Sequence, residues 1–190
     1  MLVLASASPR RRELLTQAGF SFEVYPSAIP EMQRPNEPPI AFALRLAREK
    51  SEAVYKSLPN HANALVLGAD TVVIAPNGST LGKPANDEDA ARMLRLLSGA
   101  THQVVTGLCL RSATRAESAA ELTYVTLHTL SDQEIATYIA TGEPSDKAGA
   151  YAIQGYAARW IPRIRGCYFN VVGLPVALVT SMLEAAPSLP

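Results

Sequence analysis

Leu2-Val3-Leu4-Ala5-Ser6-Ala7-Ser8-Pro9-Arg10-Arg11-Arg12-Glu13-Leu14-Leu15 decides how this chain is read. A short apolar strand leads into a serine loop and then a helix. Ser8 suits the N-cap, where its hydroxyl accepts a bond from an orphan amide. Pro9 suits the first helical position, where a missing N–H costs nothing. The free N–H groups of such a turn favour an anion beyond the strand end. Cations in a first helical turn oppose the helix dipole, at roughly 0.3–1 kcal/mol each. Folding alone therefore prefers acids where Arg10, Arg11 and Arg12 stand. A bound polyphosphate reverses that penalty, and the arginine fork matches phosphate. The alternative is a solvated basic turn with Glu13 as local partner. Successive helical positions lie about 100° apart, so the three arginines do not all converge on one ligand.

Composition narrows the classes. The chain has 190 residues, 48% of them hydrophobic, enough for a real core in a single domain or two intimate lobes. Lys+Arg and Asp+Glu each number 17, so the net charge is zero. That argues against a nucleic-acid polymer or an anionic membrane as the main partner, since both select for basic excess. Cys109 and Cys167 have neither metal-ligand spacing nor a disulfide framework, and read as small buried hydrophobes in a reducing compartment. The N-terminal apolar run is too short for a signal peptide, and no run is long enough to span a membrane. The expected location is cytoplasmic.

Outward from the first helix, Gly19 is its C-cap and Phe20 to Tyr25 a strand. Pro26 to Pro39 is a proline-rich loop holding Glu31. A helix then runs from Pro38-Pro39 to about Ser57, with Ile40, Ala43, Leu44, Ala47 and Val54 on its apolar face. Lys50 falls at the edge of that face, where a lysine either snorkels to water or points into a cleft. Ala64 to Ile74 is an apolar strand interrupted by Gly68-Ala69-Asp70-Thr71. A carboxylate there is expensive to bury unless it is paired or on a metal. Asp70 either caps a turn at a strand end or is functional; the strand formers on both sides favour function. Gly68 and Ala69 leave room for close approach.

Asn77-Gly78 is a turn, and Gly82-Lys83-Pro84 holds a lysine on constrained backbone. Asn86 caps the next helix, whose first turn carries Asp87, Glu88 and Asp89 and whose buried stripe is Ala90, Met93, Leu94 and Leu97, ending at Gly99. That helix obeys the dipole rule the first one breaks. His102 to Leu110 and Leu122 to Leu130 read as paired strands joined by a polar loop, Arg111 to Glu121. His102 and His128 belong to no ligand cluster. Ser131-Asp132-Gln133-Glu134 is a capping box for a helix to Thr141, stopped by Gly142 and Pro144. Asp146 to Gly155 is a glycine-containing turn whose Gln154 offers amide donors and a carbonyl acceptor, suited to an imide edge such as uracil's. A strand near Arg159 to Ile164, a turn at Gly166, a helix from about Pro175 and a frayed tail from Ala185 complete the reading.

Taken together in this order, Ala5-Ser6-Ala7-Ser8-Pro9-Arg10-Arg11, Arg45-Leu46-Ala47-Arg48-Glu49-Lys50, Gly68-Ala69-Asp70-Thr71-Val72-Val73, Gly82-Lys83-Pro84, Asp146-Lys147-Ala148-Gly149-Ala150-Tyr151 with Ile153-Gln154-Gly155, and Val172-Gly173-Leu174-Pro175 resemble the Maf family of nucleoside triphosphate pyrophosphatases. The resemblance implies one Maf-like domain over residues 1–190. It implies an elongated α/β fold of the Maf and ITPase-like kind, with a central mixed sheet flanked by helices and a cleft between two lobes. It further implies a cytoplasmic enzyme, often a homodimer, that uses a divalent cation, Mg²⁺ or Mn²⁺, to hydrolyse a nucleoside triphosphate to the monophosphate and pyrophosphate. By matching positions Asp70 is the proton acceptor. Ser8, Arg10, Arg11, Lys50 and Lys83 hold the phosphates, and Glu31 joins Asp70 as a metal ligand. Arg11, Thr71 and Gln154 select the substrate. The branch acting on dTTP and UTP matches; the 7-methyl-GTP branch has Trp after the Ser-Pro pair, Gln after the catalytic Asp and Glu in place of Gln154. Departures are the third arginine, Arg12, Pro30 before Glu31, and Ala152 where Gly is common.

The chemistry fits these residues, because attack on the α–β bridge needs positioning and charge stabilisation above all. Oxygen ligands without a His/Cys cluster favour Mg²⁺ or Mn²⁺ over zinc. Asp70 either deprotonates the water or ligates the metal that does so. The alternatives are the same chemistry on another base, or a nucleotide-binding regulator of cell division with weak hydrolysis. A P-loop NTPase is excluded, since no G-x-x-x-x-G-K-[ST] run exists.

Overall fold

The computed structural model describes residues 1–59 and 63–185. It is a mixed α/β structure. Seven strands, β1 (Leu2–Leu4), β2 (Phe22–Val24), β3 (Leu65–Ile74), β4 (Thr80–Leu81), β5 (Thr101–Arg111), β6 (Ala116–Thr126) and β7 (Arg163–Arg165), form one sheet in the order β2-β1-β3-β5-β6-β7, with β4 paired to β3. β1 runs parallel to both β2 and β3, whereas β3–β4 and β6–β7 are antiparallel. The helices are α1 (Pro9–Gln17), α2 (Pro39–Ser57), α3 (Asp87–Leu97), α4 (Asp132–Ile139), α5 (Tyr168–Val172) and α6 (Val176–Ala185). The expected mixed sheet with flanking helices is present. The described residues form two compact units, one of residues 1–59, 63–70, 106–121 and 173–185, the other of residues 71–105 and 122–172.

The first unit forms for reasons visible in its sequence. Ser8 caps α1, with its hydroxyl accepting from the Arg11 amide at 3.5 Å, and Pro9 opens the helix. At the far end Gly19 takes φ +79°, and the amides of Gly19 and Phe20 close on the carbonyls of Thr16 and Leu15. This is the glycine-terminated cap that only a residue without Cβ adopts freely. α2 buries Phe42, Ala43, Leu46, Ala47, Val54 and Tyr55. Each large side chain so buried contributes about 1.5–3 kcal/mol. Ile40, expected on that face, is 41% exposed, because the helix turns Phe42 and Leu46 inward in its place. Val3, Ala5, Val54, Tyr55, Leu58, Ala64 and Val66 form a shared apolar cluster.

β3 is not interrupted. It runs unbroken through Gly68-Ala69-Asp70-Thr71, so Asp70 lies in mid-strand rather than at a strand end. The close approach at Gly68 is made by α2. A Cβ there would collide with the Ala47 carbonyl and lie 2.9 Å from the Ser51 Cβ. Gly107 of β5 accepts the same helix, with the Ala43 carbonyl 2.5 Å from where its Cβ would be. Two missing side chains thus let α2 lie directly on the sheet.

In the second unit Asn86 caps α3 by accepting from the Asp89 amide at 2.8 Å, and the acidic first turn and buried stripe are as expected. Ser131 and Glu134 form the expected capping box. Two corrections concern strands, and one short helix was not foreseen. β6 begins at Ala116, inside the supposed polar loop, and ends at Thr126; its half-exposed, small and polar residues hid its alternation. Tyr156–Trp160 is a 3₁₀ turn, and β7 follows it. α5 carried no sequence signal, being only five residues long. Cys109 is buried as expected, but Cys167 only half so. The expected frayed tail beyond Ala185 lies outside the described residues. Among the described residues no helix is long and apolar enough to cross a membrane.

Candidate functional site

The first unit gathers the serine loop, α2 and the middle of β3 around one ammonium group. Lys50 is buried, and its Nζ donates to Asp70 Oδ1 at 2.6 Å and pairs with Glu31 Oε1 at 2.5 Å. The question left open by helical spacing is answered: Lys50 points inward. It does so because Gly68 lets its helix sit against the strand that carries Asp70. Asp70 is 5% exposed, while the Glu31 side chain is half exposed. Burial raises the Asp70 pKa above the ordinary carboxylate value; the Lys50 and Arg11 charges and the Lys50 hydrogen bond pull it back, and Glu31 adds to the rise. A carboxyl with elevated proton affinity, yet held by a cation, is the character of a general base.

Arg11 takes an unexpected position. Its guanidinium turns into the protein, with Nε donating to the Gly173 carbonyl at 2.8 Å and Nη1 to Ser6 Oγ at 3.1 Å and to the Ala69 carbonyl at 2.8 Å. Burial lowers its pKa and the nearby Asp70 and Glu31 raise it, but an arginine stays charged regardless. Arg11 therefore ties the serine loop and the strand at Asp70 to the segment before α6. Arg10 is half-buried and Arg12 exposed, so the three arginines do diverge. Ser6 also accepts from the Ser8 amide at 3.2 Å. Nothing in the motif singles out Ser6 as the hub of the loop.

A second feature escaped the sequence reading. Arg45 grips Glu37 bidentately, Nε to Oε1 at 2.6 Å and Nη2 to Oε2 at 2.8 Å, and Nη2 also donates to the Met32 carbonyl at 2.9 Å. Glu37 further accepts from the Arg34 amide at 3.0 Å. The loop carrying Glu31 is thereby fastened to α2. The Arg45 hydrogen bond holds the Glu37 carboxyl at a pKa of about 2. The available signal was a bidentate-capable Arg eight residues from a Glu, which is too common to single out.

The remaining expected residues lie in the second unit. Thr71 follows Asp70 in β3, so it projects to the opposite face of the strand. Lys83 and Gln154 are exposed, and neither side chain has a partner among the described residues. No group of three or more His, Cys, Asp or Glu residues able to hold a metal occurs among the described residues. The donors that do converge, Asp70 and Glu31, are hard oxygen ligands. One or two carboxylates with substrate phosphates is the usual setting for Mg²⁺, so this pair fits such a cation.

These features define an α/β protein with a buried lysine–carboxylate centre beside a serine-capped, arginine-rich helix. A family model described as Maf-like protein matches residues 1–186, and the chain belongs to the Maf family. It is 52% identical over 185 residues to a dTTP/UTP pyrophosphatase of Koribacter versatilis (strain Ellin345), covering 97% of this chain and 94% of the relative. It is 47% identical to a dTTP/UTP pyrophosphatase of Syntrophomonas wolfei subsp. wolfei (strain DSM 2245B / Goettingen), covering 95% of this chain and 94% of that one. Among solved structures, the Staphylococcus aureus Ham1 protein matches loosely, with a TM-score of 0.48 and 15% identity over 96% of this chain and 97% of that chain.

Proposed function

We propose that this protein hydrolyses dTTP and UTP to the nucleoside monophosphate and pyrophosphate, with a divalent cation, and that Asp70 is the proton acceptor. The observation that carries the proposal is the buried Asp70 held at 2.6 Å by Lys50, whose ammonium also meets Glu31. The names of relatives with half of their residues in common supply the substrate.

Each residue has a task that its surroundings permit. Asp70 takes the proton of the attacking water; burial gives it the proton affinity and Lys50 fixes its orientation. An ammonium has three donors, so Lys50 keeps one for a phosphate oxygen after serving both carboxylates. Ser8 and Arg10, at the cationic start of α1, receive phosphate charge that the helix dipole also favours. Arg11 acts from inside, holding the loop and the Ala69–Asp70 peptide in register. Asp70 and Glu31 would hold the cation, which when bound neutralises charge on the phosphoryl oxygens. Lys83 keeps the phosphate role, and Thr71 and Gln154 the base-selecting role, that their motifs imply.

The test is pyrophosphate release from a panel of nucleoside triphosphates with Mg²⁺ or Mn²⁺. Selective turnover of dTTP and UTP is expected. Selective turnover of 7-methyl-GTP would keep the chemistry and overturn the base assignment. Nucleotide binding with no turnover of any substrate would overturn the enzyme reading in favour of a regulator.

A further inference from the structure

Gln154 stands on a loop that is held from beneath by two side chains outside every motif assigned above. The Tyr138 hydroxyl donates to Glu143 Oε1 at 2.8 Å and accepts from the Ala152 amide at 3.1 Å. The other carboxylate oxygen, Glu143 Oε2, accepts from the Tyr156 amide at 3.1 Å. Ala152 and Tyr156 flank Gln154 at two residues on either side, so the loop is gripped symmetrically. Gly155 makes room for the grip, since a Cβ there would run into the Glu143 carboxylate. Tyr138 is fully buried and cannot swing away, because its ring stacks on Tyr156 at 5.5 Å and meets Trp160 edge-on at 5.2 Å. Thr141 Oγ1 accepts from the Glu143 amide at 3.2 Å, which fixes the backbone of the carboxylate's own residue.

Side chains often satisfy loop amides, but here the two amides they hold stand at equal distance on either side of Gln154. Fixing two backbone amides on either side of one exposed amide side chain is what a recognition loop needs, because base selection fails when the reading group is loose. We infer that Tyr138 and Glu143 are positioning residues that set the geometry of Gln154 and thereby the discrimination among nucleotide bases. The inference rests on Gln154 being the base-reading residue. Tyr138 and Glu143 touch no substrate; they act through the loop backbone.

Two further consequences identify the device. The carboxylate of Glu143 serves two donors, so Glu143→Gln presents an N–H to one of them and is not a conservative change here. Tyr138→Phe keeps the buried ring contacts and removes only the hydroxyl, so it leaves the fold in place while releasing the Ala152 amide.

The experiment compares wild type with Tyr138→Phe, Gln154→Ala and the double variant, measuring kcat and KM for UTP, dTTP, CTP and ATP, and amide hydrogen exchange at residues 152–156. Tyr138→Phe is expected to raise KM for UTP and dTTP and to reduce their preference over CTP and ATP by about threefold to tenfold, the range of one ordinary hydrogen bond. Its kcat for UTP stays close to wild type, exchange at Ala152 accelerates, and the double variant is no less selective than Gln154→Ala alone. If Gln154→Ala loses selectivity while Tyr138→Phe keeps it, the positioning role is wrong and the base-reading role stands. If Gln154→Ala leaves selectivity unchanged, the base-reading role is wrong and the positioning role falls with it. Additive losses in the double variant would also overturn the inference, since the two side chains would then act independently.

Discussion

Asp70 sits where folding alone would not put a carboxylate, and its neighbours determine what it can do there. Lys50 lowers the Asp70 pKa against the upward push of burial. Replacing it by Met removes that opposition and leaves the burial effect in place. The acid limb of the pH–rate profile of Lys50→Met is therefore expected to move to higher pH, with kcat also reduced at the plateau. An unmoved limb would mean that Asp70 is not the group whose ionisation limits the rate. The opposite direction applies to His102. Burial holds it at a pKa of about 4, below the ordinary 6.5, with Nε2 bonded to Tyr151 at 2.8 Å and Nδ1 lacking a partner among the described residues. Its folded-state pKa is depressed, so the unfolded chain takes up the proton first as pH falls through 6.5. Stability from this group is present above that value and is lost toward pH 4. Between pH 7 and pH 5 the loss is about 2 kcal/mol. Asp70 works against it in acid, because a raised carboxyl pKa favours the folded state as protons bind. Denaturant unfolding of wild type and His102→Gln at both pH values separates the two, since the variant should lack the histidine's share of the drop.

Helix α2 is the element on which the centre depends, and two glycines and one ion pair set its position. Gly68→Ala would drive a methyl group into the Ala47 carbonyl. Overpacking of this kind costs about 1–3 kcal/mol. It is expected to lower Tm and to cut activity more than stability alone explains, because Lys50 moves with the helix; a Gly68→Ala protein of normal Tm and activity would show that the approach is not required. Arg45→Lys keeps charge but loses the two-pronged grip on Glu37. Faster proteolysis within residues 26–38 is the expected result, together with weaker activity through Glu31. These elements also mark what the sequence disclosed. The Ser8 and Asn86 caps, the Ser131 capping box and the α3 stripe were legible because each is a local rule met within one turn. The inward Lys50 was not, because helical phase placed it at an edge, and Gly68 and Gly107, eighteen and fifty-seven residues on, let the helix lean against the sheet. The Arg11 buttress was hidden for the same reason: its acceptors on Ala69 and Gly173 are backbone carbonyls, which no side-chain pattern announces.

At the scale of the whole chain, the family and the order of its motifs were readable because the chemistry is spread over many short segments that keep their sequence order. The mixed sheet followed from them, while β6 was misplaced because its first half alternates small and polar residues rather than apolar ones. Net neutrality also has a molecular meaning. With 17 charges of each sign, the global field supplies no net attraction for a polyphosphate, so the proposed site has to rely on local cations. The claim on which everything else depends is that Asp70 drives hydrolysis at the α–β bridge. The most direct test is to separate the products formed from UTP and dTTP with Mg²⁺ by the wild type and by Asp70→Asn, with nucleotide binding measured alongside. Monophosphate and pyrophosphate in equal amounts are expected from the wild type, and about a 10²–10⁴-fold loss of rate in the variant while it still binds nucleotide. Diphosphate and orthophosphate as products, or wild-type turnover by Asp70→Asn, would contradict the claim.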